Sequence, residues 1–442
     1  MRALSKITAK AVSILLACIL AVSASVMLMT GCTSGGSGAS STASGDSGSS
    51  DTDSSEANSS DAGDSGADSG DSNIDDSGAE EVEEMYTRSL LARGNNYRLH
   101  KVIDKIRSGE DVTVAFIGGS ITYGYLAGTE EIFAKRVTDH LNEKYSPTGD
   151  NVKFINAGIS GTPSMLGLIR AGRDILESDP DLVFIEFAVN DDTSNTEKRA
   201  YESLIRKCLK DDNSPAVILL FSVLEGGYTA QDVMSATGFY YSLPEISVKN
   251  AIFPEIEAGT MTWADWAGDE AHPNASGHEK YATMINYTID TLIADEIDDE
   301  YTIPEKLKYK TDWSDMTLYD SRNLELTSLG SFVEADVHEN FSNGWRYTYG
   351  TEANDPLTFS FTGKALFIVY KDTKNSTYGS VDVFIDGEHV RTLNANTDDG
   401  WNNPVTELIW DTSETAEHEV EIRMTDDTVG KAFEIMCFGI SE

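Results

Sequence analysis

Basic residues are scarce in this chain: 33 Lys and Arg stand against 74 Asp and Glu, giving a net charge of −41 over 442 residues. That deficit argues against nucleic acid and anionic membrane surfaces as partners, since both are gripped through Lys and Arg. It leaves neutral or cationic ligands. Cysteine is scarcer still. Cys18, Cys32, Cys208 and Cys437 are far apart and form no CxxC pair, so neither a disulfide framework nor a zinc site is indicated. Cys208 falls in a helical pattern and Cys437 in a strand pattern, and both read as buried free thiols. A long apolar run occurs once, at the very start, and no internal repeat is visible.

That run, Ala11–Met29, follows Arg2, Lys6 and Lys10 and ends Met-Thr-Gly-Cys at Cys32. A cationic start, an apolar stretch and small residues before a cut describe a secretory leader. The last four residues resemble the lipobox of bacterial lipoproteins, which implies cleavage after residue 31, lipidation of Cys32 and anchorage of the chain at the outer face of a membrane. An uncleaved anchor is the alternative, and it too leaves the chain at that face. Residues 32–84 are Ser, Gly, Asp and Glu with almost no large apolar residue. Such a segment cannot bury enough surface to fold and is expected to be a solvated, self-repelling tether.

From residue 85 the texture is that of a folded body, which still carries −30. The spacing of Leu99, Val102, Ile103 and Ile106 predicts a helix over 97–107, closed by Ser108-Gly109. Strands are predicted at Val112–Ile117, Val152–Ile155, Leu182–Phe187 and Ala216–Val223. Helical patterns lie between them, near Glu130–Glu143, Pro163–Glu177 and Glu197–Lys210, and at Ser276–Ile293. Continuous apolar strands alternating with helices indicate a parallel sheet covered on both faces. After Tyr301 the pattern changes to short alternating strands: LTFSF, ALFIVYK, SVDVFID, TELIW, HEVEIRM and FEIMCFGIS. Turn signals at Asp386-Gly387 and Asp399-Gly400 separate some of them, as in an antiparallel β-sandwich. The expected body is an α/β domain over 85–310 followed by a β-sandwich over 315–442.

Four polar segments mark the α/β domain. Gly118-Gly119-Ser120 follows the first strand, NAGISGT (Asn156–Thr162) the second and AVND (Ala188–Asp191) the third. GDEAHPN (Gly268–Asn274) comes late. Ligands of parallel α/β folds bind beyond the carboxyl ends of the strands. Taken singly, each segment is an ordinary turn, helix start or loop. Together they offer a serine, a histidine to act as its base, and a carboxylate three residues before that histidine to orient it. A backbone N–H near Gly161, the N–H of Ser120 and the amide of Asn190 are candidate donors to an oxyanion.

This ordered set resembles the SGNH/GDSL hydrolase superfamily, over about 110–297. The resemblance implies a three-layer α/β/α flavodoxin-like sheet. It makes Ser120 the nucleophile, His272 the base and Asp269 its orienter, with Ser120, Gly161 and Asn190 as oxyanion donors and no metal or cofactor. Two positions depart from the family pattern: Gly119 stands where the family name has aspartate, as in carbohydrate-directed members, and Ala188-Val189 stands where glycines are frequent. The stretch also looks like SGNH carbohydrate esterases of gut and rumen bacteria, in several of which a β-sandwich carbohydrate-binding module is appended. The implied activity is removal of O-acetyl groups from a polysaccharide or oligosaccharide.

Candidate sugar contacts are Trp263 and Trp266, just before Asp269, and Trp401, which reads as a loop residue beside Asp398-Asp399-Gly400. Trp345 and Trp410 read as further platforms, with Tyr347, Tyr349 and Tyr378 near in sequence, but core packing is the simpler role for Trp410. Two alternatives remain at this level. One is a lipid acylhydrolase, which needs an apolar cleft that the mixed segment Thr122–Leu126 does not announce. The other is a non-enzymatic glycan-binding lipoprotein.

Overall fold

The computed structural model describes residues 84–442. The leader, the tether and Cys32 lie outside the described residues. None of the described helices is long and apolar enough to cross a membrane.

The first strand of the body, β1 (Leu90–Ala92), is a three-residue edge. It is followed by β2 (Val112–Gly118), β3 (Val152–Gly158), β4 (Leu182–Glu186), β5 (Ala216–Phe221) and β6 (Glu245–Ser247). They form one sheet in the order β1-β6-β5-β4-β2-β3. β2 to β6 run parallel, and β1 pairs antiparallel with β6. The five parallel strands therefore have the flavodoxin-like order, which reverses direction between β2 and β4.

Alternation along each strand divides the core in two. Val114, Phe116, Phe184 and Ile218 face one layer with Leu99, Ile103, Val137 and Ile285. Ala115, Ile117, Val183, Ile185 and Leu219 face the other, with Leu168, Leu204 and Ile205. The first layer thus holds helices Tyr97–Ser108, Phe133–Tyr145 and Ala275–Ala294. The second holds Ser164–Asp174 and Asn195–Leu209.

The C-terminal region is an antiparallel β-sandwich. It comprises β7 (Thr317–Tyr319), β8 (Val333–Ala335), β9 (Gly344–Tyr347), β10 (Leu357–Thr373), β11 (Ser380–Ile385), β12 (Glu388–Asn394), β13 (Trp401–Met424) and β14 (Phe433–Ser441). LTFSF and ALFIVYK are one 17-residue strand, and TELIW and HEVEIRM are one 24-residue strand. These two long strands pair with each other across a register shift between Gly363 and Ala365. Beyond that bulge the strands carry β14, and before it the other half of β13 carries β11. A bulge bends a strand, so a single hydrogen-bonded path folds over into two layers.

The sandwich has its own interior, built on Phe359, Val383, Ile422 and Phe438. Its outer face, with Phe367, Val369, Met436 and Cys437, joins the second core of the α/β domain through Trp313 and Met316. The two regions therefore share buried apolar surface. Cys208 and Cys437 are both buried and unbridged, and burial pushes the Cys208 thiol up to about 12.

Candidate active site

Ser120 begins a short helical turn, Ser120–Tyr123, directly after β2. Its Oγ lies 2.8 Å from His272 Nε2. On the other side of the ring, His272 Nδ1 lies 2.8 Å from Asp269 Oδ2 and 3.0 Å from Oδ1. Asp269 Oδ1 also accepts the N–H groups of Ala271 and His272, at 2.8 and 2.7 Å. Burial opposes charge on Asp269, but its bonds with the His272 ring and these N–H groups prevail and hold it below the ordinary carboxylate range.

The Asp269–His272 turn is closed from outside. Ala267 and Pro273 form an antiparallel bridge, and Gly268 N–H donates to His272 O at 3.0 Å. The Trp263 indole N–H donates to Asp269 O at 2.7 Å. Tyr125 packs edge-on against the imidazole, ring centroids 4.7 Å apart.

The two glycines before Ser120 are required by close approach rather than by left-handed backbone. A Cβ on Gly118 would stand 2.1 Å from Thr122 Oγ1 and 2.6 Å from Glu186 O. A Cβ on Gly119 would stand 2.3 Å from Asn190 Oδ1. This contact brings the ends of β2 and β4 together at the point where the sheet reverses its order. Asn190 sits in a turn in which its own N–H and that of Asp191 both donate to Phe187 O. Ala188 and Val189 are buried beneath it.

The loop after β3 starts beside the Ser120 turn, since Ile159 N–H donates to Gly118 O at 3.1 Å. Gly161 in that loop has φ +70°, a region that side chains disfavour. The loop is tied to the third segment by Asp191, whose carboxylate accepts the N–H and the hydroxyl of Ser164. Burial, reinforced by nearby Asp192 and Glu186, pushes Asp191 up to about 7 despite those bonds. Among the described residues, the N–H groups of Ser120 and Gly161 donate to no backbone acceptor. A carbonyl carbon placed against Ser120 Oγ would thus meet a hydroxyl with a base.

The aromatic candidates divide. Trp266 is 1% exposed and packs against Tyr281, so the expectation of a sugar contact there is corrected: its indole is core. Trp263 is half-buried and anchors the Asp269 turn. Trp345 is also core, and Trp410 is half-buried against His418. Trp401 is the first residue of β13 rather than a loop residue. Its Cζ2 would lie 2.7 Å from a Cβ on Gly161, so the β-sandwich reaches the candidate oxyanion loop. Sequence reasoning left open whether Trp263 walls a pocket or anchors its loop, and the structure shows the anchor; it missed the packing of Tyr125 on the imidazole and the buried charges Glu186 and Arg170. Of these, only Glu186 left a trace, as a lone acid in the apolar run LVFIEF.

Comparison with known proteins matches residues 116–280 to the GDSL-like Lipase/Acylhydrolase family. The chain is similar to a two-domain esterase active on acetylated mannans, with TM-score 0.73, 29% identity, and 81% of this chain and 98% of that one covered. The structure of such an esterase co-crystallised with mannopentaose matches over the same shares, with TM-score 0.72 and 29% identity. A search of curated proteins gives no significant match. The chain therefore carries a GDSL-like lipase/acylhydrolase domain joined to an antiparallel β-sandwich, and it is a carboxylic ester hydrolase.

Proposed function

We propose that the protein is a serine esterase that removes O-acetyl groups from a mannan-type polysaccharide or oligosaccharide at the cell surface. The observation that carries the reading is the line Asp269–His272–Ser120, with 2.8 Å on each side of the imidazole. His272 Nε2 takes the Ser120 proton as Oγ attacks the ester carbonyl. Asp269 holds the ring by Nδ1 and stabilises the imidazolium. The N–H groups of Ser120 and Gly161 and the Asn190 amide receive the oxyanion. His272 then passes its proton to the departing sugar hydroxyl. Water repeats the cycle on the acyl-enzyme and releases acetate. None of these steps calls for a metal or cofactor.

The substrate class rests on similarity across both domains to an esterase active on acetylated mannans, and on the position of Trp401. An indole beside the oxyanion loop offers a flat apolar face on which a sugar ring can stack. It also narrows the space for an acyl chain, which favours acetyl over long-chain lipid esters. Lipidation at Cys32 and the acidic tether would hold the catalytic body away from the membrane, facing soluble glycan.

The test is acetate release from acetylated mannan and acetylated xylan, alongside nitrophenyl acetate and a long-chain nitrophenyl ester. Acetylated mannan is expected to be the better polymer and the long-chain ester a poor substrate. Ser120→Ala is expected to reduce every rate by several orders of magnitude. Activity retained in that variant would remove the nucleophile assignment, and preference for the long-chain ester would turn the reading towards lipid.

A further inference from the structure

The peptide unit that joins Gly118 to Gly119, immediately before Ser120, lies between two buried charges. Its carbonyl accepts from Arg170 Nη2 at 3.0 Å. Arg170 is fully buried, and its other amino group donates to Ala157 O at 2.7 Å and to Asp174 Oδ2 at 2.8 Å. One guanidinium thus ties together the ends of β2 and β3. On the other side, Glu186 closes β4 and is 1% exposed. Its Oε2 accepts the Thr122 hydroxyl at 3.1 Å. The hydroxyl of Ser222 and the N–H groups of Thr122 and Gly119 also favour its charged form. The carbonyl of this one peptide thus faces a cation, and its N–H faces a carboxylate.

We infer that Arg170 and Glu186 are positioning residues that fix the Gly118–Gly119 peptide plane and, through it, the N–H and hydroxyl of Ser120. The inference rests on Ser120 being the nucleophile. A peptide carries a dipole of about 3.5 D, and opposite charges at its two ends in a dry interior resist its rotation. Two consecutive glycines are the most mobile backbone available. They are required because Thr122 and Asn190 leave no room for a Cβ, so something else must hold the plane. Misplacement of a reacting group by about 1 Å costs on the order of 100-fold in rate.

Glu186 is a poor choice for stability alone. Its Oε1 has no close hydrogen-bond partner among the described residues, and burial raises its carboxyl to about 7. The titratable groups that face it are Asp191, Tyr201 and Tyr281. None of them is a cation. Ionised, Glu186 accepts the Thr122 hydroxyl, and its charge is favoured by the N–H groups of Gly119 and Thr122. Protonated, it loses acceptor capacity and loosens that turn. Turnover should therefore rise as pH passes through neutrality, in step with this carboxyl.

The experiment measures kcat and KM for nitrophenyl acetate from pH 5 to 9, with thermal midpoints, for the full chain and for Glu186→Gln, Arg170→Met and Arg170→Lys. Glu186→Gln is expected to lower kcat about 10- to 100-fold with KM nearly unchanged. It should also remove one ionisation from the kcat profile without lowering the thermal midpoint. Arg170→Lys is expected to recover part of the kcat lost in Arg170→Met. Unchanged kcat and pH profile in Glu186→Gln would overturn the inference, as would a kcat loss that only tracks loss of folded protein. If Glu186→Gln does not fold, Thr122→Val serves. It removes one donor to the carboxylate and should move the corresponding ionisation to higher pH, whereas an unmoved profile overturns the inference. Activity in Ser120→Ala is a separate result, which removes the reading beneath it.

Discussion

A Cβ on Gly161 would stand 2.7 Å from Cζ2 of Trp401, so an indole carried by the β-sandwich lies directly on a loop of the α/β domain. The contact assigns Trp401 a test that separates glycan binding from bond breaking. Trp401→Ala is expected to raise KM for acetylated oligosaccharide about 2- to 10-fold, the scale of an aromatic stacking contact of roughly 0.5–1.5 kcal/mol. The kcat for nitrophenyl acetate should stay within about twofold. Equal losses on both substrates would mean that the indole holds the Gly161 loop instead.

Gly119 offers a sharper probe of the donors. Its missing Cβ leaves the space that the Asn190 carboxamide fills, 2.3 Å from where that Cβ would be. Gly119 has φ −90° and ψ −148°, so the main obstacle to a side chain is the neighbour. Gly119→Ala should displace Asn190 and lower kcat by about 10²- to 10³-fold, as loss of one oxyanion donor does. Gly119→Ala combined with Asn190→Ala should then be little worse than Asn190→Ala alone. Additive losses in the double variant would show that the two positions act independently.

Much of this arrangement was legible before the structure. β2, β4 and β5 are largely apolar runs, and the spacing Asp269-x-x-His272 prescribes a turn that presents both side chains. β6 was not legible, because three residues with buried Glu245 and Ser247 carry no apolar pattern. The helix Val248–Ala258 was hidden by Pro254 inside it. The 24-residue strand β13 passes through DTSETAE, which reads as loop; its residues 412–415 fall in the register shift of the ladder with β10, which pairs Asp411 and Ala416 on either side of them. Trp266 and Trp401 show the limit most clearly. Both stand beside polar turn residues, and only the packing of Tyr281 against one and Gly161 against the other separates core from site.

Stability and activity are expected to respond to pH in opposite directions. Burial pushes Glu186, Asp191 and Glu245 each up to about 7. In the unfolded chain such groups ionise at about 4. Below that value both states hold the protons and the contribution to stability is complete. Between about pH 4 and 7 only the folded protein retains them, so stability falls as pH rises. Asp290 and Asp312, held at about 2 despite burial by their ion-pair and hydrogen-bond partners, act in the other direction only at more acid pH. The thermal midpoint should therefore be higher at pH 5.5 than at pH 8, and Glu186→Gln should reduce the difference. A midpoint that rises across this interval would contradict the assignment.

The shared core predicts that the α/β domain and the sandwich unfold together. Trp313 is fully buried, with the Arg199 guanidinium 4.0 Å above its ring and Phe367 of β10 edge-on at 5.1 Å. Its backbone N–H donates to Ser203 Oγ at 3.0 Å. Trp313→Ala should cost about 3–5 kcal/mol, the usual range for a large aromatic removed from a core. Gly439 of β14 meets the α/β domain more closely still, since a Cβ there would lie 2.7 Å from Ile169 Cγ1 and 3.0 Å from Ile169 Cδ1. Gly439→Ala should cost about 1–3 kcal/mol by overpacking. Calorimetry of both variants should show one transition shifted to lower temperature. Two resolved transitions, with only one of them moved, would mean that the sandwich folds independently of the domain that carries Ser120.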